Sequence, residues 1–182
     1  RHLRTAEGCL SWIDKYGDRD GDGFQEYQTR SSAGYENTAW KDSGDSVMYE
    51  DGTLVKGPKA ICELQGYVYD AWLRMAEIYD EIGRHDGARH LREKAAALFK
   101  KFNDVFWNEE LGIYAYTLDG EKTPVWSLAS NIGHLLWSGI VPKDRAGRVV
   151  NRLMQQDMWS GWGIRTLSAL HKSFNPYNYQ TG

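Results

Sequence analysis

The stretch KAICELQGYVYDAWLRMAEIYDEI, residues 59–82, decides the fold class of this sequence. Its apolar side chains recur at helical spacing and cover most of the helix circumference. Pro58 stands where such a helix begins and Gly83 where it ends. A helix that is apolar nearly all round is buried on most sides, so we predict an inner helix over residues 59–82.

Four further segments have helical periodicity. Residues 2–16, 86–107 and 143–157 each carry one apolar stripe with charged residues opposite, which is typical of a helix with one exposed face. Residues 130–139 are apolar again and almost uncharged. The helices therefore alternate between outer and inner along the chain. This order predicts an all-α fold of about five helices in two layers.

Three long connections, 17–58, 108–129 and 158–182, follow the outer helices, whereas the inner helices lead into short turns. If successive helices are antiparallel, the long connections emerge on one rim, beside the N-termini of the inner helices. Loops much longer than the usual ~4–6 residues tend to be functional, so we expect a working face there. A helical solenoid that binds protein is the alternative. Alternation around Asp119-Gly120 predicts a small β-hairpin over 112–125.

Composition limits the class of protein. With 22 Lys and Arg against 25 Asp and Glu, the net charge of −3 argues against nucleic-acid or anionic-membrane partners. No apolar run reaches the ~18 residues of a membrane span. Cys9 and Cys62 are too few for a disulfide framework, which favours the reducing cytoplasm. The 182 residues suit one domain, and because Arg1 replaces an initiator Met we expect a piece of a longer protein.

Residues 18–26, DRDGDGFQE, form an aspartate-rich segment that we call the aspartate loop. Carboxylates at alternate positions before a glycine match the opening of an EF-hand calcium loop, with Asp18, Asp20 and Asp22 as candidate metal ligands. The twelfth position, however, is Thr29 where a bidentate Glu belongs. Asp-Gly repeats also form turns without a metal. Both interpretations stay open, and no cofactor is expected to be required.

Residues 36–45, ENTAWKDSGD, form a second polar segment that we call the acid motif. A carboxylic acid beside a large aromatic residue suits a general acid, because partial burial against Trp40 would disfavour the ionised form. The alternative is that Asp42 or Asp45 caps a turn. The spacing does not decide which of the two aspartates is the better-placed acid.

Polar residues also stand near the starts of both predicted inner helices. Glu63 can either interact favourably with the positive end of the helix dipole or accept hydrogen bonds from a polyhydroxylated ligand. Gln65 lies two positions further along the chain. Asn131 and His134 pose the same alternative. A single His on an apolar helix is more often a core residue than a ligand contact.

Aromatic residues are concentrated in the long connections. Residues 159–168, WSGWGIRTLS, place two Trp, two Gly and Arg165 outside any helical pattern. This predicts a rigid loop that offers flat aromatic rings and a guanidinium group with several hydrogen-bond donors. Trp40, Trp126, Trp159 and Trp162 all fall in these connections. Aromatic faces among carboxylates and amides are typical of a sugar-binding surface, although core packing could explain any one of them.

Taken in order, these segments resemble the catalytic domain of glycogen-debranching-type amylo-α-1,6-glucosidases and related bacterial glycoside hydrolases. The matching stretches are GDRDGDGFQEY, ENTAWKDSGDS, GPKAICELQGYVYDAWLRMAEIY, SNIGHLLWSGIVP and SGWGIRTLS. The resemblance implies an (α/α)₆ toroid of six helical hairpins. Residues 1–182 would then be the middle portion of a partial catalytic domain that lacks its N- and C-terminal helices.

The resemblance also implies inverting hydrolysis of α-glucosidic bonds in an oligosaccharide or α-glucan. Asp42 matches the general acid, and the family's catalytic base lies further downstream, so the chain alone should be inactive or nearly so. The positions that match the sugar subsite are Trp40, Glu63, Gln65, Trp162 and Arg165. The alternative function is a non-catalytic helical module that binds carbohydrate or another chain. In either case the uncovered edges of a partial toroid favour self-association.

Overall fold

The computed structural model describes residues 2–182 as five helices and five very short strands. The helices are α1 (His2–Tyr16), α2 (Cys62–Glu81), α3 (His85–Val105), α4 (Ile132–Ser138) and α5 (Lys143–Leu153). The strands are β1 (Ala60–Ile61), β2 (Trp107–Asn108), β3 (Ile113–Tyr114), β4 (Thr117–Leu118) and β5 (Pro124–Val125). The prediction of a mostly helical fold with five helices is confirmed. Arg1, on which the expectation of a longer protein rests, lies outside the described residues.

The two kinds of helix are present, but α2 is not buried all round. Helix α1 has no fully buried residue, whereas α2 buries eight, including Glu63, Trp72 and Met75. Ile78 of α2 is nevertheless 47% exposed. The prediction of burial on most sides is therefore wrong for the C-terminal half of α2. Within residues 2–182, α2 packs chiefly against α3 and α4, and the Tyr79 hydroxyl of its C-terminal half donates to Glu7 of α1 at 3.0 Å.

Helices α2 and α4 approach closely because of a glycine. A Cβ atom added to Gly66 would lie 2.6 Å from the Oγ atom of Ser138 and 3.4 Å from the Cδ2 atom of Leu135. Contacts this short leave no room for a side chain, so only glycine allows the two backbones to pack at this distance. The N-terminal part of α2 is thereby held against the C-terminal part of α4.

The predicted hairpin is confirmed and forms part of a small antiparallel sheet. Strands β4 and β5 pair Thr117 with Val125 across the Asp119-Gly120 turn, and β1 pairs with the other edge of β4. The amide of Cys62 donates to the Tyr116 carbonyl at 3.0 Å. Helix α2 therefore begins at Cys62 rather than at residue 59, because the preceding residues are paired with the hairpin. Strands β2 and β3 form a separate two-stranded pair.

The long connections meet beside the N-terminal ends of α2 and α4. The Trp40 ring lies 5.0 Å from the His134 ring of α4, and the Ser130 amide donates to the Thr166 carbonyl at 3.1 Å. The polar residues of the first and third connections are thus gathered at one end of the inner helices. None of the helices within residues 2–182 combines the length and apolar character needed to cross a membrane.

Candidate active site

The acid motif presents both of its candidate acids to the exterior. The Oδ1 atom of Asp42 accepts a hydrogen bond from the Gln180 Nε2 atom at 3.0 Å, and the Oδ2 atom of Asp45 accepts one from the Asn178 Nδ2 atom at 3.1 Å. Both aspartates are exposed, and Trp40 is itself 66% exposed. The expected burial of Asp42 against Trp40 is therefore wrong for residues 2–182.

The turn that follows Asp42 is closed without help from either aspartate. The Ser46 amide donates to the Ser43 carbonyl at 3.1 Å, and the Ser46 hydroxyl donates to the Lys41 carbonyl at 3.0 Å. Within residues 2–182, neither Asp42 nor Asp45 accepts a backbone N–H. The turn-capping alternative is thus not supported, and both carboxylates bond instead to side-chain amides of the C-terminal segment.

Lys41 points in the opposite direction from Asp42 and is buried. Its ammonium donates to the Thr166 carbonyl, lies 3.3 Å from the Gln180 carbonyl oxygen and stands over the Tyr116 ring at 5.7 Å. Burial lowers the pKa of Lys41 to about 8, and the negative charge of Glu63 opposes this shift. A cation is therefore held beneath the candidate acid by carbonyl oxygens from the third long connection.

Glu63 lies in the first turn of α2 and is also buried. Its Oε1 atom accepts a hydrogen bond from the Asn131 Nδ2 atom at 2.9 Å, and the Cys62 thiol lies 3.6 Å from its Oε2 atom. Burial raises the pKa of Glu63 to about 6. The carboxylate links the starts of the two inner helices, and direct sugar binding by Glu63 stays a prediction.

Gln65 is completely buried and joins α2 to the first long connection. Its Oε1 atom accepts from the Gln25 amide at 2.8 Å, and its Nε2 atom donates to the carbonyls of Gln25 and Ile61 at 2.7 and 3.1 Å. Both donor hydrogens and the acceptor are therefore used by the protein. The geometry gives Gln65 a structural role, and its predicted contact with sugar remains without geometric support.

Two clefts are lined by Trp40 of the acid motif, and a third is lined by residues of the C-terminal connection. The smallest, of about 310 Å³, is lined by Trp40, Lys41, Ser130, Thr166, Tyr179 and Gln180. A second, of about 520 Å³, lies between Trp40, Tyr67, Asp70, His134 and Trp137. Arg165 lines a third, of about 590 Å³, beside Phe174 and Gly182. Because Trp40 lines the first two, its ring can face a ligand from either side.

The histidine of the second cleft is uncharged near neutral pH. The Tyr67 hydroxyl lies 2.6 Å from the His134 Nδ1 atom, and burial lowers the pKa of His134 below its usual range. A neutral imidazole has one donor and one acceptor nitrogen, so the tautomer of His134 sets the direction of its hydrogen bond with the Tyr67 hydroxyl. The wall of this cleft is therefore aromatic and uncharged apart from Asp70.

Trp162 is placed at the tip of an exposed turn. The turn is closed by pairing between Trp159 and Ile164, and Gly161 has a φ of 93°, which favours glycine. The Trp162 ring is 98% exposed. The predicted rigid loop with a flat face is present, although Trp162 and Arg165 line neither of the two clefts that contain Trp40.

The chain matches the family model described as the mannosylglycerate hydrolase MGH1-like glycoside hydrolase domain over residues 5–182. It belongs to the MGH1-like glycoside hydrolase family. The expectation of a glycoside hydrolase domain is thereby confirmed, whereas the narrower debranching type is not shown. No curated protein sequence matches the chain.

The MGH1-like domain is similar in fold to several solved glycosidase structures. Neutral trehalase Nth1 from Saccharomyces cerevisiae is 18% identical, with a TM-score of 0.59 over 74% of this chain and 26% of that chain. The GH63 mannosylglycerate hydrolase from Thermus thermophilus is 14% identical, with a TM-score of 0.57 over 69% of this chain and 31% of that chain. The MGH1-like domain thus spans about a quarter to a third of their length.

A lysine side chain from the hairpin lies among the carboxylates of the aspartate loop in this MGH1-like domain. Oxygens of Asp18, Asp20 and Asp22 lie within 4.8 Å of one another. The Lys122 ammonium from the hairpin lies 2.9 Å from the Asp20 Oδ2 atom and 3.0 Å from the Asp22 Oδ2 atom, and it also contacts Glu26. The donor set therefore suits a cation, but calcium would have to displace Lys122. Calcium binding here stays a prediction.

Sequence reasoning missed two residues of the MGH1-like site, Lys41 and Gln180. A usable signal existed for Lys41, because alternate residues of an extended segment point in opposite directions. If Trp40 and Asp42 face outward, Lys41 must face inward. No such local signal existed for Gln180, whose partner Asp42 lies 138 positions away in the chain.

Proposed function

We propose that this MGH1-like domain supplies the general acid of a glycosidase that hydrolyses α-glucosidic bonds with inversion. The observation that carries the proposal is the exposed Asp42 carboxylate, held by Gln180 beside the cleft that Trp40 and Ser130 line. Asp42 protonates the leaving oxygen while the bond from that oxygen to the anomeric carbon breaks. The aromatic face of Trp40 supports the apolar side of a sugar ring.

The catalytic base belongs to another part of the toroid in this proposal. Inverting enzymes place the base about 6.5–9.5 Å from the acid, on the opposite side of the sugar ring, where it activates water. The described residues 2–182 offer no second carboxylate assigned to that role. Residues 1–182 are proposed to form the middle of an (α/α)₆ domain, and the greater length of the similar glycosidases supports this placement.

Isomaltose, maltose and limit dextrin are the proposed substrates, as expected for a debranching-type glucosidase. Trehalose and mannosylglycerate complete the panel, because the printed names of similar structures include a trehalase and a mannosylglycerate hydrolase. We also propose a cytoplasmic location, which the free thiols of Cys9 and Cys62 support.

The acid can be tested without the base by supplying azide, a nucleophile that needs no deprotonation. Azide attacks the anomeric carbon of an α-glucoside, the bond to the leaving oxygen breaks, and Asp42 donates its proton to that oxygen. Inversion predicts β-glucosyl azide as the product, measured by NMR. From isomaltose the purified chain should form one β-glucosyl azide for each glucose released as the leaving group, and little glucose beyond that amount.

Two variants separate the candidate acids. Asp42→Asn should abolish β-glucosyl azide formation, whereas Asp45→Asn should retain most of it. Equal product from the Asp42→Asn variant and the unsubstituted chain would refute the assignment. If no azide forms but short α-glucans bind in calorimetric titration, and Trp162→Ala weakens that binding, the chain is the non-catalytic carbohydrate-binding module of the alternative interpretation.

A further inference from the structure

The side chain of Gln180 forms a two-point contact with the acid motif. Its Nε2 atom donates to the Asp42 Oδ1 atom and its Oε1 atom accepts from the Ser43 amide, both at 3.0 Å. Gln180 is buried, with 5% of its surface exposed, although Asp42 itself is exposed. One planar amide therefore binds both the carboxylate and the backbone that follows it.

Gln180 is itself fixed on both sides. The backbone N–H of Gln180 donates to the Asn178 Oδ1 atom at 2.9 Å, and its backbone carbonyl oxygen lies 3.3 Å from the buried Lys41 ammonium. These two contacts fix the backbone of Gln180 and thereby the position from which its side-chain amide reaches Asp42. Asp42 is therefore held by Gln180, rather than Gln180 by Asp42.

The contact distinguishes the two oxygens of Asp42. Because the Gln180 Nε2 atom can only donate, it favours an Oδ1 atom that carries no proton. Within residues 2–182, the Oδ2 atom accepts no hydrogen bond, and Asp42 as a whole is exposed. The proton of the acid form is thus directed to Oδ2, the oxygen that can reach a ligand.

We propose that Gln180 is the positioning residue of Asp42, fixing Oδ1 so that the proton is delivered from Oδ2. The inference rests on the proposed function, because it assigns Gln180 a role only through the acid. Asn178 and Asp45 provide an internal comparison, since they form the same kind of amide–carboxylate contact at 3.1 Å.

Two variants of equal size and charge form the test. Gln180→Glu retains the acceptor for the Ser43 amide but replaces the donor to Asp42. Asn178→Asp likewise retains the Oδ1 acceptor for the Gln180 amide but replaces the donor to Asp45. Each variant adds one negative charge to the same segment. Thermal unfolding of both verifies that they fold.

The kinetic measurement compares two substrates in the azide reaction. Isomaltose needs a proton on its leaving oxygen, whereas α-glucosyl fluoride releases fluoride without one. Gln180→Glu should slow azide formation from isomaltose by about tenfold to about a hundredfold, the scale of a misplaced catalytic group, and leave the fluoride reaction unchanged. Asn178→Asp should slow neither reaction. Equal slowing of both substrates, or equal effects of both variants, would overturn the positioning role.

A spectroscopic measurement tests the contact in the unsubstituted chain. The side-chain NH₂ resonances of Gln180 should shift as Asp42 ionises, an effect removed by Asp42→Asn but not by Asp45→Asn. The other charged groups here are Asp45 and Lys41, and Lys41, whose pKa burial lowers to about 8, stays charged in acidic solution. Unresponsive Gln180 resonances overturn the inference.

The two measurements together distinguish failure of the positioning role from failure of the proposed function. If the Gln180 resonances respond but neither substrate yields azide, the proposed function fails. If azide forms and Gln180→Glu has no effect, only the positioning role fails.

Discussion

Replacing Glu63 by Gln should stabilise the protein at neutral pH and not at acidic pH. Burial raises the pKa of Glu63 from its ordinary 4.5 to about 6 in the folded chain. Protonation of this carboxyl therefore adds stability that is fully present below pH 4.5 and is lost as the pH rises through about 6. At neutral pH the folded protein instead bears the free-energy cost of a buried charge.

The size of the effect follows from the pKa difference. A shift of roughly 1.5 units corresponds to about 2 kcal/mol, because one unit is worth about 1.36 kcal/mol. The substituted glutamine would retain the volume and the oxygen that accepts from Asn131. Lys41 would lose the attraction of the Glu63 charge, so the gain in unfolding free energy does not exceed about 2 kcal/mol.

Urea unfolding followed by tryptophan fluorescence measures this gain. At about pH 7.5 the midpoint of Glu63→Gln should rise by up to about 1 M, since a chain of this size has a slope near 2 kcal/mol per M. At about pH 4.5 the two midpoints should converge. Glu77→Gln, an exposed change on the same helix, is the matched control and should shift the midpoint little at either pH. A pH-independent difference, or a less stable Glu63→Gln variant at neutral pH, would refute the reasoning.

Three further predictions follow from packing and charge. Lys122→Met removes the ammonium that contacts Asp20, Asp22 and Glu26 and leaves only Lys101 at 3.7 Å from the Asp22 Oδ1 atom, so calcium should raise the melting temperature of this variant and not of the parent chain; calorimetry with and without a chelator measures this. Gly66→Ala should lower the unfolding free energy by about 1–2 kcal/mol, because its methyl group meets a serine of α4 at 2.6 Å. The control Gly147→Ala, with open space around it, should raise the unfolding free energy by about 0.5–1 kcal/mol. Self-association should appear in light scattering and weaken in Trp137→Ser or Trp12→Ser, since these rings are 73% and 60% exposed on α4 and α1. A monomeric parent chain would contradict that expectation.

The helices were predictable because the signal for a helix is local. The apolar periodicity of residues 2–16 coincides with α1, and the stripe over 86–107 ends two residues after α3. Two boundaries were misplaced. Ala60 and Ile61 pair with β4, and the apolar pattern that continues to residue 157 outlasts α5, which ends at Leu153. The first error concerns residues whose partners, Thr117 and Leu118, are distant in the chain; the second concerns a helix end closed by local contacts such as the Arg152–Asp157 pair.

The candidate site was predictable only in part, for the same physical reason. The sequence suggested Asp42 and Trp40 through the resemblance of the WKDSGD segment to glycoside hydrolases, whereas the residue pattern alone left Asp42 and Asp45 open. It did not indicate that Gln180 holds the acid, or that Lys122 lies in the aspartate loop. Those contacts join segments about a hundred or more positions apart, and no periodicity records them. Sequence reasoning also took Gln65 for a ligand contact, because buried amides and binding amides look alike without coordinates.

The buried charges beneath the acid motif favour a catalytic role over an inert helical module. Burial lowers the pKa of Lys41 and raises that of Glu63, so for both groups desolvation outweighs their mutual attraction. Apolar side chains of similar volume would make such a region more stable, not less. A module whose only requirement is stability gains nothing from this pair. Perturbed ionisable groups cluster at functional sites, and here Lys41 precedes Asp42 in the chain and is electrostatically coupled to Glu63. Their position is accounted for if the chain must hold a precise charge environment beside a reacting sugar.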